Sequence, residues 1–144
     1  MKVLFTGGGT AGHINPALAA AGYLMQKEPD TQILYVGNKG GMEERLVANA
    51  GYPMATITIS GFQRKLTPKN LARNAQTVVR MFTATAEAKK IIQDFAPDVC
   101  VGTGGYVSGP VIREAAKLGI PCVIHESNAY PGVTTKCWPK PSRP

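Results

Sequence analysis

The chain has 144 residues and a mass of 15.3 kDa, which is enough for one domain with its own hydrophobic core. With 44% hydrophobic and 17% charged residues, the composition excludes a mainly disordered chain, and no apolar run reaches the ~18 residues of a membrane span. The 16 lysines and arginines against 9 aspartates and glutamates give a net charge of +7, which favours nucleic acid, phosphate-bearing substrates or an anionic membrane surface as partners.

The N-terminus leads us to expect a cytoplasmic protein, and the cysteines lead us to expect neither a zinc site nor a disulfide framework. The apolar run Val3–Phe5 is too short for a secretory signal. The three cysteines, Cys100, Cys122 and Cys137, lack the CxxC spacing of a zinc site, and their odd number argues against a disulfide framework. We expect Cys100 and Cys122, which lie in apolar runs, to be buried and unreactive.

The first half of the chain alternates predicted strands with predicted helices. A strand at Lys2–Thr6 leads into the glycine-rich segment Gly7–Gly12, and Asn15 followed by Pro16 is typical of a helix start. That helix should end before Pro29. The elements that follow are a strand at Gln32–Val36, a helix at Met42–Ala50 and a strand at Met54–Ile59.

The second half repeats this alternation. Helical spacing from Pro68 to Phe95 predicts one long helix or two shorter ones. The remaining elements are a strand at Val99–Val101, a second glycine-rich loop at Gly102–Gly105, a helix at Ser108–Leu118, a strand at Pro121–His125 and a third loop at Glu126–Pro131. Five strands joined through helices predict an α/β fold with a Rossmann-like parallel sheet, and all three loops should lie at the carboxyl edge of that sheet.

The first glycine-rich loop matches the GxGxxG pattern through Gly7, Gly9 and Gly12. Its backbone amides and the following helix N-terminus favour a bound phosphate. The second strand is followed by Asn38 rather than the acid that binds a dinucleotide ribose, and no GK[ST] sequence follows the loop, so the pattern disfavours nicotinamide, flavin and Walker A sites. Two such loops at one edge favour an anion-binding site over two simple turns.

Two polar groups are candidates for chemistry at the same edge. His13 should lie between Gly12 and the helix start, where its imidazole could act as a general base or contact substrate. We expect His125 to organise the third loop through a hydrogen bond. Glu126 and Asn128 could bind sugar hydroxyls or could simply form the turn.

A basic, amphipathic stretch begins near residue 64. Its lysines and arginines alternate with apolar residues, which fits either a solvated helix face or a surface that lies on anionic lipid. The residues assigned to the membrane-facing surface are Lys65, Lys69, Arg73, Arg80 and Phe82. No recognised nucleic-acid motif accompanies the positive charge, so nucleic acid is not an expected partner.

Three segments together resemble the signature loops of the MurG family of N-acetylglucosaminyltransferases. They are GGGTAGHINPALA (Gly7–Ala19), VGTGGYVSGP (Val101–Pro110) and HESNAYPGVTTK (His125–Lys136), and the resemblance extends in order from Met1 to Lys136. It implies a GT-B architecture of two Rossmann-like domains, of which this chain is the N-terminal, acceptor-binding one.

The resemblance also implies an activity. Family members transfer N-acetylglucosamine from UDP-N-acetylglucosamine to lipid I with inversion, forming lipid II in peptidoglycan synthesis. They work at the cytoplasmic face of the cell membrane as peripheral proteins, without a metal or other cofactor. The alternatives from the residues alone are a non-catalytic nucleotide- or phosphate-binding module and a membrane adaptor that uses its basic face.

Carried over residue by residue, the resemblance makes His13 the base that takes the acceptor hydroxyl's proton. The implied donor-binding positions are Thr10, Ala11, Gly12 and Asn128. The implied positions facing the acceptor diphosphate are Gly8, Gly9, Gly104, Gly105 and Tyr106.

This sequence departs from the family pattern at two positions and in length. Ala11 stands where many members have glycine, and Ser127 replaces a common glutamine. The proline-rich residues 137–144 do not resemble the family, so we expect residues 1–136 to form a truncated acceptor-binding domain followed by a foreign tail. Without a nucleotide-binding domain, the isolated chain should transfer no sugar at a useful rate.

Overall fold

The structure is a computed structural model that describes residues 1–59 and 68–127, without the side chains of residues 68–79 and 81. Five strands and four helices alternate along this part of the chain. Their bounds are β1 (Lys2–Thr6), α1 (Ala11–Lys27), β2 (Gln32–Asn38), α2 (Met42–Asn49), β3 (Met54–Ile57), α3 (Pro68–Phe95), β4 (Val99–Gly102), α4 (Ser108–Lys117) and β5 (Cys122–Ile124).

The strands form one parallel sheet in the order β3-β2-β1-β4-β5, which confirms the predicted α/β fold. Successive residues of β1 point to opposite faces, as a pleated strand requires. Val3 and Phe5 pack with Ile14 and Ala17 of α1, whereas Leu4 packs with apolar residues of α3 and α4. The sheet is therefore covered by α1 and α2 on one face and by α3 and α4 on the other.

The predicted start of the first helix is wrong. Asn15 is not its N-cap, because the helix begins at Ala11 after Thr10 in extended conformation, and Pro16 lies inside it. The earlier start places Ile14 in the helix beside Ala17, so both are buried against the sheet. Pro16 lacks the N–H that would bond the carbonyl four residues earlier, a local loss that this packing offsets.

The other predicted elements shift only at their ends. Strand β2 continues through Asn38, two residues beyond the prediction, whereas β3 ends at Ile57 instead of Ile59. Of the two alternatives for residues 68–95, the structure shows one helix.

Strand β5 is more exposed than predicted. It pairs with β4 on one side, at the end of the described sheet, and Val123 is 54% exposed. Cys100 is buried as expected, but Cys122, its partner in register on β5, is only half-buried. A hydrogen bond with Cys122 and burial raise the pKa of Cys100, and the same hydrogen bond lowers the pKa of Cys122. The prediction of a buried thiol therefore holds for Cys100 and is wrong for Cys122.

Candidate functional site

The sheet has a switch point between β1 and β4. From β1 the chain adds β2 and β3 on one side and then returns to add β4 and β5 on the other. The helices that follow β1 and β4 consequently cover opposite faces, and the loops leading to them diverge from neighbouring strand ends. In parallel sheets this crevice outside the carboxyl ends is where ligands bind.

The two glycine-rich loops meet at this switch point. Gly8 of the first loop, Gly7–Thr10, donates its backbone N–H to the carbonyl of Gly104 in the second loop at 3.2 Å. The N–H of Thr103 donates to the carbonyl of Thr6 at 2.9 Å, which ties the second loop to the end of β1. The expectation that both loops lie at one edge of the sheet is confirmed.

Two glycines of the second loop permit this close approach. Gly104 and Gly105 have φ values of +105° and +81°, which side chains with a Cβ rarely adopt. A methyl group on Gly104 would lie 2.7 Å from Nδ1 of His13, and one on Gly105 would overlap the carbonyl oxygen of Gly8.

His13 lies in the first turn of α1, between the two loops, and is half-buried. Its Nδ1 is 3.1 Å from the carbonyl oxygen of Thr103. A carbonyl oxygen only accepts hydrogen bonds, so Nδ1 carries a proton, and Nε2 is the nitrogen that can accept one when the ring is neutral. The hydroxyl of Thr103 donates to the carbonyl of His13 at 2.5 Å, so backbone and ring are both anchored to the second loop.

The backbone amides of the two loops differ in what they can offer a ligand. The amides of Gly8 and Gly9 already have protein acceptors, the carbonyl of Gly104 and the carboxylate of Glu43. Among the described residues, no acceptor pairs with the amide of Gly104 or Gly105, nor with those of Ala11 and Gly12 at the helix start. These amides lie on either side of His13.

Tyr106 and Asn38 close one end of the site. Tyr106 is 38% exposed, and its ring lies against Gly9. The side-chain N–H of Asn38, at the end of β2, donates to the Tyr106 hydroxyl at 3.4 Å. The Asn38 side-chain oxygen accepts the backbone N–H of Ile59 at 3.0 Å, so one side chain joins the ends of two strands to the second loop.

Sequence reasoning missed Glu43. This residue of the first turn of α2 is completely buried below the first loop. An acid in the first turn of a helix is common at the surface, so the residue type alone gives no signal. Its position, four residues before the buried Val47 and thus on the same helix face, was the available indication.

Of the remaining predicted site residues, the structure describes some and not others. Glu126 follows β5 and is half-buried, while the backbone N–H of His125 donates to the carbonyl of Gly102 at 2.8 Å. Asn128, Lys65 and the tail 137–144 lie outside the described residues, as do the side chains of Lys69 and Arg73.

On α3, Arg80 is exposed and Phe82 is 74% exposed. Within residues 1–59 and 68–127, no helix is long and apolar enough to cross a membrane.

Comparison with known proteins decides the family. Residues 3–142 match the model of the glycosyltransferase family 28 N-terminal domain. The chain belongs to this family. The match covers the glycine-rich loops, His13 and the described elements together, so the candidate site at the switch point lies within the matched domain.

Curated relatives carry the same domain within longer chains. The UDP-N-acetylglucosamine--N-acetylmuramyl-(pentapeptide) pyrophosphoryl-undecaprenol N-acetylglucosamine transferase of Lactococcus lactis subsp. cremoris is 50% identical over 94% of this chain. The protein of that name from Limosilactobacillus fermentum is 53% identical over 94% of this chain. This family 28 chain spans only 37% and 36% of those two relatives.

Solved structures confirm the GT-B type of fold. The crystal structure of MurG from Acinetobacter baumannii matches with a TM-score of 0.77 and 34% identity, covering 94% of this chain and 37% of that one. The glycosyltransferase SsfS6 from Streptomyces sp. SF2575 matches with a TM-score of 0.64 and 18% identity over 94% of this chain and 42% of that one, which supports the fold alone. The expected resemblance to the MurG family and the expected Rossmann-like fold are confirmed.

Proposed function

We propose that this chain is the acceptor-binding, N-terminal part of an inverting glycosyltransferase of peptidoglycan synthesis. The reaction moves N-acetylglucosamine from UDP-N-acetylglucosamine to lipid I and yields lipid II. Family membership and the names of the relatives support the reaction class. The observation that carries the proposal is His13, whose ring is anchored to Thr103 through Nδ1 and lies next to the unpaired backbone amides of the second loop and of the start of α1.

The geometry suggests how the site works. Nε2 of His13 takes the proton of the muramoyl 4-hydroxyl while its oxygen bonds to the donor's anomeric carbon. The bond from that carbon to the UDP oxygen breaks at the same time, so configuration inverts and UDP leaves. The hydrogen bond from Nδ1 to Thr103 stabilises the imidazolium that forms, in the way an orienting acceptor supports a catalytic histidine.

The free amides divide between the two substrates in this proposal. Those of Gly104 and Gly105 bind the acceptor diphosphate, and those of Ala11 and Gly12, at the positive end of α1, bind the donor. Thr10 and Asn128 contact the donor sugar, while Tyr106 contacts the acceptor diphosphate. Glu126 is a further candidate for binding sugar hydroxyls. His13 lies between the two groups of amides, where the acceptor hydroxyl must meet the donor carbon.

A variant pair tests the role of His13 in a two-domain fusion, in which this chain is continued by the C-terminal part of the Lactococcus lactis relative. His13→Asn keeps a side-chain N–H where Nδ1 lies, so the bond to Thr103 survives, but it removes the base. We expect kcat to fall about 10²–10⁴-fold with little change in the free energy of unfolding. His13→Ala should lose both kcat and stability.

Turnover by His13→Asn close to that of the unsubstituted fusion would make His13 a structural residue only. Binding of diphosphate ligands without any transfer by the unsubstituted fusion would favour the non-catalytic binding module. The 144-residue chain alone should show no transfer, because orientation of the donor and stabilisation of the leaving UDP require the second domain.

Membrane docking is the remaining part of the proposal, at the cytoplasmic face of the cell membrane. The exposed Arg80 and Phe82 on α3 support it, since exposed basic and aromatic side chains on one helix suit an anionic lipid surface. We expect the chain to bind vesicles containing anionic lipid, with weaker binding after Phe82→Ala. Tyr23→Ala on α1, a helix covering the other face of the sheet and with a 63% exposed ring, is the control and should leave binding unchanged. Equal binding to neutral vesicles would contradict the electrostatic part.

A further inference from the structure

Glu43 is a buried acid at a site that should bind anions. Its Oε1 accepts the backbone N–H of Gly9 at 3.3 Å and that of Asn38 at 3.4 Å. Its Oε2 is buried and has no hydrogen-bond partner among the described residues. No described lysine, arginine or histidine forms an ion pair with it either. Burying a carboxyl group that has one unpaired oxygen and no cationic partner costs stability. Its position below the loop must therefore serve something other than the stability of the fold.

Three glycines from different segments leave room for this carboxyl group. A methyl group on Gly8 would overlap Oε1, and one on Gly41 would overlap Oε2. A methyl group on Gly37 would lie 2.9 Å from the Cβ of Glu43. The first loop, the end of β2 and the start of α2 are thus all shaped around one side chain.

We propose that Glu43 is a positioning residue that holds the first loop so that the acceptor diphosphate binds through Gly104 and Gly105 and not through Gly8 and Gly9. This inference rests on the proposed function. The N–H of Gly9 points inward to Glu43, and in a trans peptide the carbonyl of Gly8 points the opposite way. That carbonyl lies against Gly105, so the orientation of one peptide plane sets the surface on which the second loop rests.

Glu43 also determines what the first loop offers a ligand. The amide of Gly9 is occupied by Oε1, the amide of Gly8 is occupied by Gly104, and Gly8 itself is buried. The acceptor diphosphate is consequently directed to the unpaired amides of the second loop.

The same oxygen supports the tyrosine at the end of the site. By accepting the backbone N–H of Asn38, Oε1 fixes the end of β2 from which the Asn38 side chain reaches Tyr106. Tyr106 in turn packs its ring on Gly9, so the contacts form a closed circuit of Gly9, Glu43, Asn38 and Tyr106. Displacing the carboxyl group would loosen the circuit at two points.

Glu43→Gln and Glu43→Asp distinguish the effect of the position of Oε1, which accepts the two backbone hydrogen bonds, from the effect of the negative charge. In Glu43→Gln the amide oxygen can replace Oε1, and the NH₂ group takes the place of the unpartnered Oε2. In Glu43→Asp the charge stays, but the group is one methylene too short to reach both amides. In the two-domain fusion we expect Glu43→Asp to raise KM for a soluble lipid I analogue tenfold or more with KM for UDP-N-acetylglucosamine unchanged. Glu43→Gln should keep both values within threefold.

An unchanged acceptor KM in Glu43→Asp, or an equal rise in both KM values, would overturn the inference, because a merely structural defect would not single out the acceptor. Hydrogen exchange of the 144-residue chain provides a second arm that needs neither a ligand nor a variant. The Gly9 amide should exchange as slowly as that of Gly8 and at least tenfold more slowly than those of Ala11 and Gly12. Exchange of Gly9 as fast as Gly12 refutes the Glu43 contact, whereas failure of transfer by the unsubstituted fusion refutes the proposed function alone.

Discussion

The two glycine-rich loops lie at the same edge of the sheet but are held there by different hydrogen-bonding groups. The first loop is held from below by side chains of β2 and α2, since the Tyr35 hydroxyl donates to the carbonyl of Gly7 and Glu43 accepts from Gly9. The second loop is held mainly by its carbonyl groups, which accept from Gly8 and from the ring of His13. The first loop thus uses the amides of Gly8 and Gly9 within the protein, whereas the second keeps those of Gly104 and Gly105 for a ligand.

The second loop therefore depends on the first loop more than the first depends on the second. The supports of the first loop come from residues outside both loops, whereas the second loop rests on Gly8 and on the helix that follows the first loop. A defect at the contact between the loops should therefore cost most. Defects in the anchors of the second loop should cost less, and loss of one support of the first loop should cost least.

Gly105→Ala should be the most damaging change. It forces a Cβ into a left-handed conformation and against the carbonyl of Gly8, so we expect the free energy of unfolding to fall by about 3 kcal/mol or more. Gly119→Ala is the matched control, because Gly119 has a φ of +76° but nothing within 4 Å of an added methyl group. It should cost only about 1 kcal/mol. Equal losses in urea unfolding would show that the contact between the loops contributes nothing.

Thr103→Val should have the next largest effect. The buried hydroxyl donates to the carbonyl of His13, and valine keeps the shape but removes this donor, while the carbonyl of Thr6 keeps the backbone N–H of residue 103. We expect a loss of about 2 kcal/mol in urea unfolding. Thr103→Ser keeps the hydroxyl and should lose less than half as much. A serine variant as unstable as the valine variant would assign the effect to packing of the methyl group.

Much of the edge itself could be predicted from the sequence, because glycine-rich segments after short apolar strands constrain the backbone locally. These glycine-rich segments and the strands before them predicted the alternation of strands and helices, and therefore that both loops lie at one edge of the sheet. Helix starts depend on tertiary packing as well, which explains the wrong assignment at Asn15. Burial of Ile14 against the sheet decided that start, and a local cap pattern cannot report it.

The support below the loops could not be predicted for a different reason. Glu43 and Tyr35 are ordinary residues of an amphipathic helix and a strand, and their roles arise from contacts with residues far along the chain. The tautomer of His13 could not be predicted for the same reason, because it depends on a hydrogen bond to the carbonyl of Thr103, 90 positions along the chain. Local patterns identified which residues reach the edge, but not which of their polar groups are already paired.

Tyr35→Phe should have the smallest effect near neutral pH, and its difference in stability from the unsubstituted protein should shrink in alkali. The variant leaves the carbonyl of Gly7 without its 2.8 Å hydrogen bond, which should cost about 1 kcal/mol. Burial, and secondarily the charge of Glu43, raise the pKa of Tyr35 above its ordinary value near 10. Above that pH the unfolded chain loses this proton while the folded chain keeps it, so the unsubstituted protein loses stability by up to about 1.4 kcal/mol per pH unit from this group. The phenylalanine variant lacks that loss, and the two curves of unfolding free energy against pH should converge above pH ~10. Curves that stay parallel would mean that Tyr35 ionises equally easily in both states, and that the first loop is not supported by a buried, neutral hydroxyl.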